Sequence, residues 1–261
     1  MKKLRHFIIP DVQSKQGVAT NHLKAAGNYI VDKQPELVIC LGDFADMPSL
    51  SSYDKGKKSF EGRRYKTDID SAQNAMDELL TPLWRYNAKR VRQKMKQYRP
   101  KMIMLYGNHE NRITRAIESE PMLDGAIGLH DLDYEGFGWE TYPFLEAPIF
   151  DGIKYSHYFP RSANGRVMQQ RRGAPNARMQ VQREMCSCTA GHLQGLDWYP
   201  RPTGDRILFG LIAGSFYQHE EEYLSPQGTQ YWRGCVMKNE VKDGYYDPMF
   251  LSLRYFLENW L

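Results

Sequence analysis

Three short apolar runs, Leu4 to Pro10, Leu37 to Leu41 and Met102 to Tyr106, constrain this chain more than any other feature. Each reads as a buried strand. Between the first two, Asn21 to Asp32 places Leu23, Ala26, Gly27 and Ile30 on one helical face. After a loop rich in Ser, Gly and Lys (residues 47 to 66), Thr67 is a suitable helix cap for a run carrying Ala72, Ala75, Met76, Leu79 and Leu80. Thr81-Pro82 reads as a break and a fresh helix start. The second helix has the stripe Trp84, Ala88, Val91, Met95 and Tyr98, flanked by a basic ridge of Arg85, Lys89, Arg92, Lys96 and Arg99. Strand, helix, strand, helix, strand is the order of a parallel sheet in an α/β fold.

The second half has a different texture. Phe150-Asp151-Gly152-Ile153 and Lys242-Asp243-Gly244-Tyr245 carry hairpin signals. Tyr155 to Phe159, Arg206 to Phe216, Tyr231 to Val241 and Met249 to Tyr255 read as strands. There is no internal repeat and no clear boundary, and 261 residues suit one large domain.

No apolar stretch approaches the ~20 residues that cross a bilayer. The N-terminal apolar run is too short for a signal-peptide core. Cys40, Cys186, Cys188 and Cys235 are expected to be reduced, and Cys186-Ser187-Cys188 lacks zinc-knuckle spacing. A soluble cytoplasmic protein with no membrane partner is expected. Charge is uneven: residues 85 to 101 hold eight Lys or Arg and residues 161 to 183 hold six Arg, and neither window holds an acid. A third basic cluster runs through Lys55, Lys57, Lys58, Arg63, Arg64 and Lys66. Such concentration points to a polyanionic partner or to solvated faces, and the windows alone do not separate the two.

Chemistry gathers where the strands end. Asp11 and Asp43 follow the first two runs, and Asn108 and His109 follow the third. Side chains at the carboxyl ends of parallel strands converge. Carboxylate, amide and imidazole are suitable ligands for a pair of divalent cations.

Five segments in order carry a resemblance: Asp11-Val12-Gln13, Gly42-Asp43-Phe44-Ala45-Asp46, Gly107-Asn108-His109-Glu110, Ser156-His157 and Gly191-His192-Leu193-Gln194. Together they resemble the calcineurin-like metallophosphoesterase superfamily, whose pattern is D-x-H, G-D-x-x-D, G-N-H-E/D, a lone His and G-H-x-H. The resemblance implies a four-layer α/β/β/α sandwich, two mixed sheets flanked by helices, over residues 1–261. A basic helical insertion is expected at about 67–100 and an Arg-rich loop at about 161–183. It implies that Asp43 bridges two divalent metals, manganese first, with magnesium, iron or zinc as alternatives. Asn108, His157 and His192 would complete one metal and Asp11 would bind the other. His109, oriented by Asp46, would be catalytic, and a metal-activated hydroxide would attack phosphorus.

Two positions depart from the pattern: Gln13 and Gln194 stand where the family has histidines. With Asp11 and Asp43 they leave one metal only oxygen donors, which implies a hard-cation site or a weak one. Met47 stands where Ser/Thr phosphatases of this superfamily carry Arg, which argues against a phosphoprotein substrate. From His109 onward the chain also resembles metallophosphoesterases encoded by tailed bacteriophages. The expected activity is a phosphodiesterase acting on nucleic acid, with a nucleotidase or a non-catalytic nucleic-acid-binding relative as alternatives. Arg112, Arg161, Arg166, Arg171 and Arg172 are the expected substrate-binding residues, on a nucleic acid or a nucleotide.

Overall fold

The computed structural model describes residues 4–160, 176–220 and 231–261. The three apolar runs form β1 (Leu4–Ile9), β2 (Leu37–Cys40) and β3 (Lys101–Leu105), paired in parallel at the centre of a six-stranded sheet. β4 (Glu140–Tyr142) adds to β3 in parallel. β10 (Gly234–Lys242) and β11 (Tyr245–Ser252) extend the other edge antiparallel. A second, five-stranded sheet holds β5 (Ile149–Phe150), β6 (Ile153–Ser156), β7 (Ser187–Ala190), β9 (Ile207–Ala213) and β8 (Leu196–Pro202), in that spatial order. Its inner pairs are parallel and its outer pairs antiparallel. Two mixed sheets and, among the described residues, five α-helices make this a mixed α/β protein.

Period-two alternation decides what each strand faces. Phe7, Ile9, Val38, Cys40 and Met104 pack against helices, joining Leu23 and Ala26 of α1 (Asn21–Lys33), Ala72, Met76 and Leu79 of α2 (Tyr65–Arg92) and Phe256 of α5 (Leu253–Asn259). Ile8, Ile39, Leu41, Ile103 and Leu105 point the other way, onto Ile153, Tyr155, Phe209 and Leu211 of the second sheet. On that sheet's far face, Ala177 and Val181 of α4 (Ala177–Glu184) pack on Cys188, Ala190, Leu208 and Ile212. Central strands buried on both sides explain their uninterrupted apolar sequence.

Both expected hairpins are present. Asp151-Gly152 and Asp243-Gly244 have positive φ at both positions (50° and 81°, 50° and 86°), the type I′ geometry. The two turns meet tip to tip, and Gly244 N donates to the Asp151 carbonyl at 2.8 Å. A Cβ on Gly152 would lie 2.4 Å from Gly244 N, so the contact requires glycine there.

Several expectations need correction. α2 is one continuous helix through Pro82, with no break at Thr81. Leu79, Leu80, Pro82 and Leu83 are buried, and packing outweighs the lost hydrogen bond. Gly27 of α1 approaches so closely that a Cβ there would lie 2.2 Å from the Leu79 carbonyl. The helix begins at Tyr65, not Thr67, without a side-chain cap. The Tyr65 hydroxyl instead donates to Asp131 at 2.6 Å, a tertiary anchor. The first half of α2 is the core crossover between β2 and β3 rather than an insertion. It ends at Arg92, and Trp84, Val91 and Met95 of the expected stripe are exposed. The strand expected at Tyr155 to Phe159 stops at Ser156. The last strand stops at Ser252, whose hydroxyl accepts from Tyr255 N and opens α5. Residues 177–183, expected as loop, are helical. All four cysteines are free.

His22 fastens α1 to the segment after β9. Its Nε2–H donates to the Phe216 carbonyl at 2.9 Å, and Nδ1 accepts from Gln218 Nε2 at 3.0 Å. Burial holds its pKa down at about 4, from the ordinary 6.5. The unfolded chain therefore binds an extra proton between those values, and stability falls as pH falls through that window. At ~1.4 kcal/mol per unit, the effect reaches about 3 kcal/mol. We expect the urea midpoint to drop between pH 7 and pH 4.5, and the slope to flatten in His22→Gln. An unchanged slope in the variant would show that His22 titrates normally.

Candidate metal centre

The loops after β1 and β2 are zipped together by backbone. Val12 N and Gln13 N donate to the Asp43 carbonyl at 3.0 and 2.8 Å, and Asp46 N donates to the Ser14 carbonyl at 3.0 Å. The loop after β3 joins through Glu110, fully buried, whose carboxylate accepts from Asp43 N, Ala45 N and Gly107 N at 3.0, 3.0 and 2.9 Å. Glycine is demanded where these loops cross. A Cβ on Gly107 would lie 2.1 Å from Asp43 Oδ1, and one on Gly191 would lie 2.6 Å from Asp11 Oδ1.

Around this scaffold the expected residues converge. Asp43 Oδ1 accepts from His109 N at 2.9 Å, and its Oδ2 lies 3.3 Å from His157 Nε2. His157 donates Nδ1–H to the Leu41 carbonyl at 2.9 Å, which turns Nε2 toward Asp43 and toward Asn108 Oδ1 at 2.8 Å. The His192 ring stands edge-on to His157, with centroids 5.1 Å apart. Asp43, His157 and His192 each offer a ligand atom, and the three lie within 4.8 Å of one another. A buried carboxylate, two imidazoles and the neighbouring Asn108 oxygen suit a divalent transition-metal ion.

The same proximity sets the ionisation of the three groups. Burial opposes ionisation of Asp43, but the three imidazoles around it hold its pKa well below the usual range. Burial also opposes charge on His157, yet the Asp43 carboxylate lifts it to about 9. His192 is pushed down to about 3 by burial and by His157, which leaves a neutral imidazole able to ligate.

Asp11 and Gln13 are drawn to the same place but not into that triad. Asp11 Oδ1 accepts from His192 N at 2.9 Å. Its Oδ2 and both amide atoms of Gln13 are buried without a hydrogen-bond partner. Orphaned buried polar atoms cost about 1–3 kcal/mol each, and a cation beside Asp43 would satisfy two of these oxygens. Burial, then the Asp43 charge, raises the Asp11 pKa to about 7. Gln194 is engaged differently: its Oε1 accepts from the Tyr217 hydroxyl at 2.6 Å.

His109 and Asp46 form a pair beside the triad. His109 Nδ1 donates to Asp46 Oδ1 at 2.7 Å, and Nε2 lies 3.7 Å from Asp43 Oδ2. Burial disfavours charge on His109, but Asp43 and Asp46 outweigh it and raise its pKa. Lys15 Nζ holds Asp46 Oδ2 at 3.1 Å. Arg112, at the start of α3 (Asn111–Ser119), donates to the Asp46 and Met47 carbonyls at 2.8 and 3.3 Å, and its Nη2 lies 3.2 Å from His109 Nε2. Arg161, Arg166, Arg171 and Arg172 lie outside the described residues.

Sequence reading did not assign roles to Lys15, Glu110 or Tyr217. Glu110 sits inside the Gly107-Asn108-His109-Glu110 segment, beside His109. Nothing local marks Lys15 or Tyr217, whose partners are 31 and 23 positions away. Backbone strain does mark the place. Gln13, Asp43, Met47, His192 and Gln194 all have φ between 48° and 64°. Left-handed non-glycine residues cost of order 1 kcal/mol or more and cluster at functional sites.

No family model matches the chain. It is similar to the Gene 54 protein of Mycobacterium phage L5, 24% identical over 220 residues that cover 81% of this chain and 79% of that one. A solved crystal structure aligns over 96% of this chain and 100% of its own, at 9% identity and a TM-score of 0.35, too low to assign a shared fold.

Two outcomes are expected. Manganese at one hundred times its Kd should add ~2.7 kcal/mol of stability, roughly 5–10 °C in Tm. Asp43→Asn should abolish that gain; a Tm indifferent to every divalent cation would sink the cation reading. Separately, Glu110→Ala should lower stability by about 3 kcal/mol in urea unfolding, because three backbone donors lose a charged acceptor.

Proposed function

We propose that this protein is a metal-dependent phosphoesterase of the calcineurin-like metallophosphoesterase type, acting on phosphodiester bonds of nucleic acid. The observation that carries the reading is the His109–Asp46 pair set against the Asp43, His157, His192 and Asn108 cluster, all at the carboxyl ends of adjacent strands. Its supports include the packing of helices on the first sheet, of the two sheets on each other and of α4 on the second sheet, in keeping with the layers such a fold would have.

Asp43, Asn108, His157 and His192 would hold one cation, and Asp11 and Gln13, with Asp43, a second. When bound, such ions supply Lewis-acid neutralisation of phosphoryl charge and acidify water. The remaining chemistry belongs to the protein. His109, with its Nδ1 proton committed to Asp46 and its pKa raised, presents Nε2–H to a leaving oxygen as a general acid. Asp46 fixes the tautomer and stabilises the imidazolium, and against burial His109 first, then Lys15 and Arg112, keep Asp46 ionised. Arg112 supplies a pinned guanidinium beside Nε2, suited to a phosphate oxygen. It serves the role that Met47, the residue after Asp46, leaves unfilled. Tyr217 occupies the Gln194 oxygen, so we assign Gln194 to a structural or hydrogen-bonding role rather than to the second cation.

The test is hydrolysis of single-stranded DNA, duplex DNA and a nucleoside monophosphate by metal-stripped protein given manganese, magnesium or zinc. DNA cleavage with manganese is expected, with kcat reduced ~10²–10⁴-fold in His109→Ala. Asp46→Asn should lower kcat and shift the alkaline limb of the pH–rate profile downward, because the imidazolium loses its carboxylate. Phosphate release from the monophosphate alone would make the protein a nucleotidase. No turnover with any metal would falsify the catalytic reading for these substrates.

A further inference from the structure

The opposite end of the central strands carries a different feature. A cavity of about 410 Å3 opens where β1, β2 and β3 begin, lined by Arg5, Tyr86, Arg90, Lys96, Tyr98 and Arg99, among others. Arg5 and Asp11 are six positions apart along β1 and its end, so at ~3.3 Å per residue this cavity lies about 20 Å from the candidate metal centre.

The cavity is built rather than incidental. Asn87 clamps the segment after α2 back onto the helix: Asn87 Nδ2 donates to the Tyr98 carbonyl at 2.8 Å, and Tyr98 N donates to Asn87 Oδ1 at 2.9 Å. The Tyr98 hydroxyl donates to the Pro35 carbonyl at 2.5 Å. Gln34 Nε2 donates to the Tyr86 hydroxyl at 2.8 Å. Arg90 lies over the Tyr86 ring at 5.5 Å and donates Nε–H to the Lys96 carbonyl. Arg99 donates to Gln97 Oε1. Two guanidinium groups are thereby held in place before any ligand arrives.

Glu36, paired with Arg5, is the carboxylate that also lines the cavity, and among the described residues the other cations there have no counter-charge. Of the eight Lys and Arg between residues 85 and 101, Lys101 pairs with Glu140 at 3.0 Å. Among the described residues, Arg85, Lys89, Arg90, Arg92, Lys94, Lys96 and Arg99 make no ion pair with a carboxylate. Arg5 alone of the cavity's cations has one, with Glu36 at 3.6 Å. Seven unpaired cations over fifteen residues repel one another, and a polyanion relieves that repulsion. A concavity with pinned guanidinium forks and two tyrosines suits a phosphate-bearing chain that can enter it, which a flat bilayer surface cannot do. Arg85, Lys89 and Arg92 continue the cations along the exposed face of α2.

We propose that this cavity and the α2 ridge form a binding site for the phosphodiester backbone of nucleic acid, separate from the candidate metal centre. It holds the polymer whether or not that centre is catalytic.

The experiment is fluorescence anisotropy of a labelled 30-nucleotide single strand and its duplex, in EDTA, between 50 and 200 mM salt. The full chain is compared with Arg90→Gln/Lys96→Gln/Arg99→Gln. Binding is expected to weaken at least tenfold in the triple variant, and the log–log salt slope to shrink by about 2–3, near one unit for each phosphate no longer neutralised. Hydrolysis of bis(p-nitrophenyl) phosphate with manganese reads the metal centre independently and should match wild type. Should the triple variant unfold, Lys96→Gln alone is expected to give a smaller loss in the same direction. Equal affinity in the variant, no binding by wild type, or loss of phosphatidylserine-vesicle binding with DNA binding intact would overturn the proposal.

Discussion

Asp43 is the knot on which the rest of the centre depends. Its carbonyl accepts two amides from the loop after β1, its amide is held by Glu110 from the loop after β3, and its carboxylate receives His109 N and faces His157. Three loops and the second sheet thus share one residue. It achieves this only in a left-handed conformation, φ 52°, which orients backbone and side chain toward different partners. That strain persists because the surroundings over-determine it.

The two sheets make the knot possible. Ile8, Ile39 and Ile103 from one and Tyr155 and Leu211 from the other form the apolar layer between them. That layer brings the end of β6, with His157, and the end of β7, with His192, beside the ends of β1 to β3. Its far end is not wholly apolar. Lys238 is fully buried between the rings of Tyr155 and Tyr246, 4.5 and 4.4 Å from their centroids, with its ammonium on Thr189. Burial depresses its pKa strongly, and the Thr189 and Tyr155 hydroxyls are its hydrogen-bond partners in place of a carboxylate.

The ends of the central strands divide the charge of the molecule. Carboxylates and imidazoles gather at the carboxyl ends, and unpaired cations gather around the beginnings of the strands. Parallel pairing enforces this separation, since every strand presents the same end to the same side. Within the centre, the two glutamines are not equivalent. The Gln13 side-chain amide is buried without a hydrogen-bond partner, whereas the Gln194 side chain accepts from Tyr217.

The three central strands, α1, both hairpins and the residues that converge on the centre were legible in the amino-acid order. Strands buried on both faces are largely apolar, type I′ turns favour Asn-Gly or Asp-Gly, and side chains converge where parallel strands end, so each leaves a local mark. What failed locally was decided by distant contacts. Pro82 signals a break, but the close packing of Gly27 keeps α2 whole. The stripe from Trp84 to Tyr98 has helical spacing, yet the helix ends at Arg92 and Trp84, Val91 and Met95 face solvent. Lys15 and Tyr217 act through partners far away in sequence, so no spacing reveals them, and Glu110 bridges its near neighbour Gly107 to the distant Asp43 and Ala45. The sequence by itself determined which polar residues stand at the strand ends and where the central strands run. Only the tertiary structure decided which atoms are paired and which stay bare, because pairing is set by loops meeting in space.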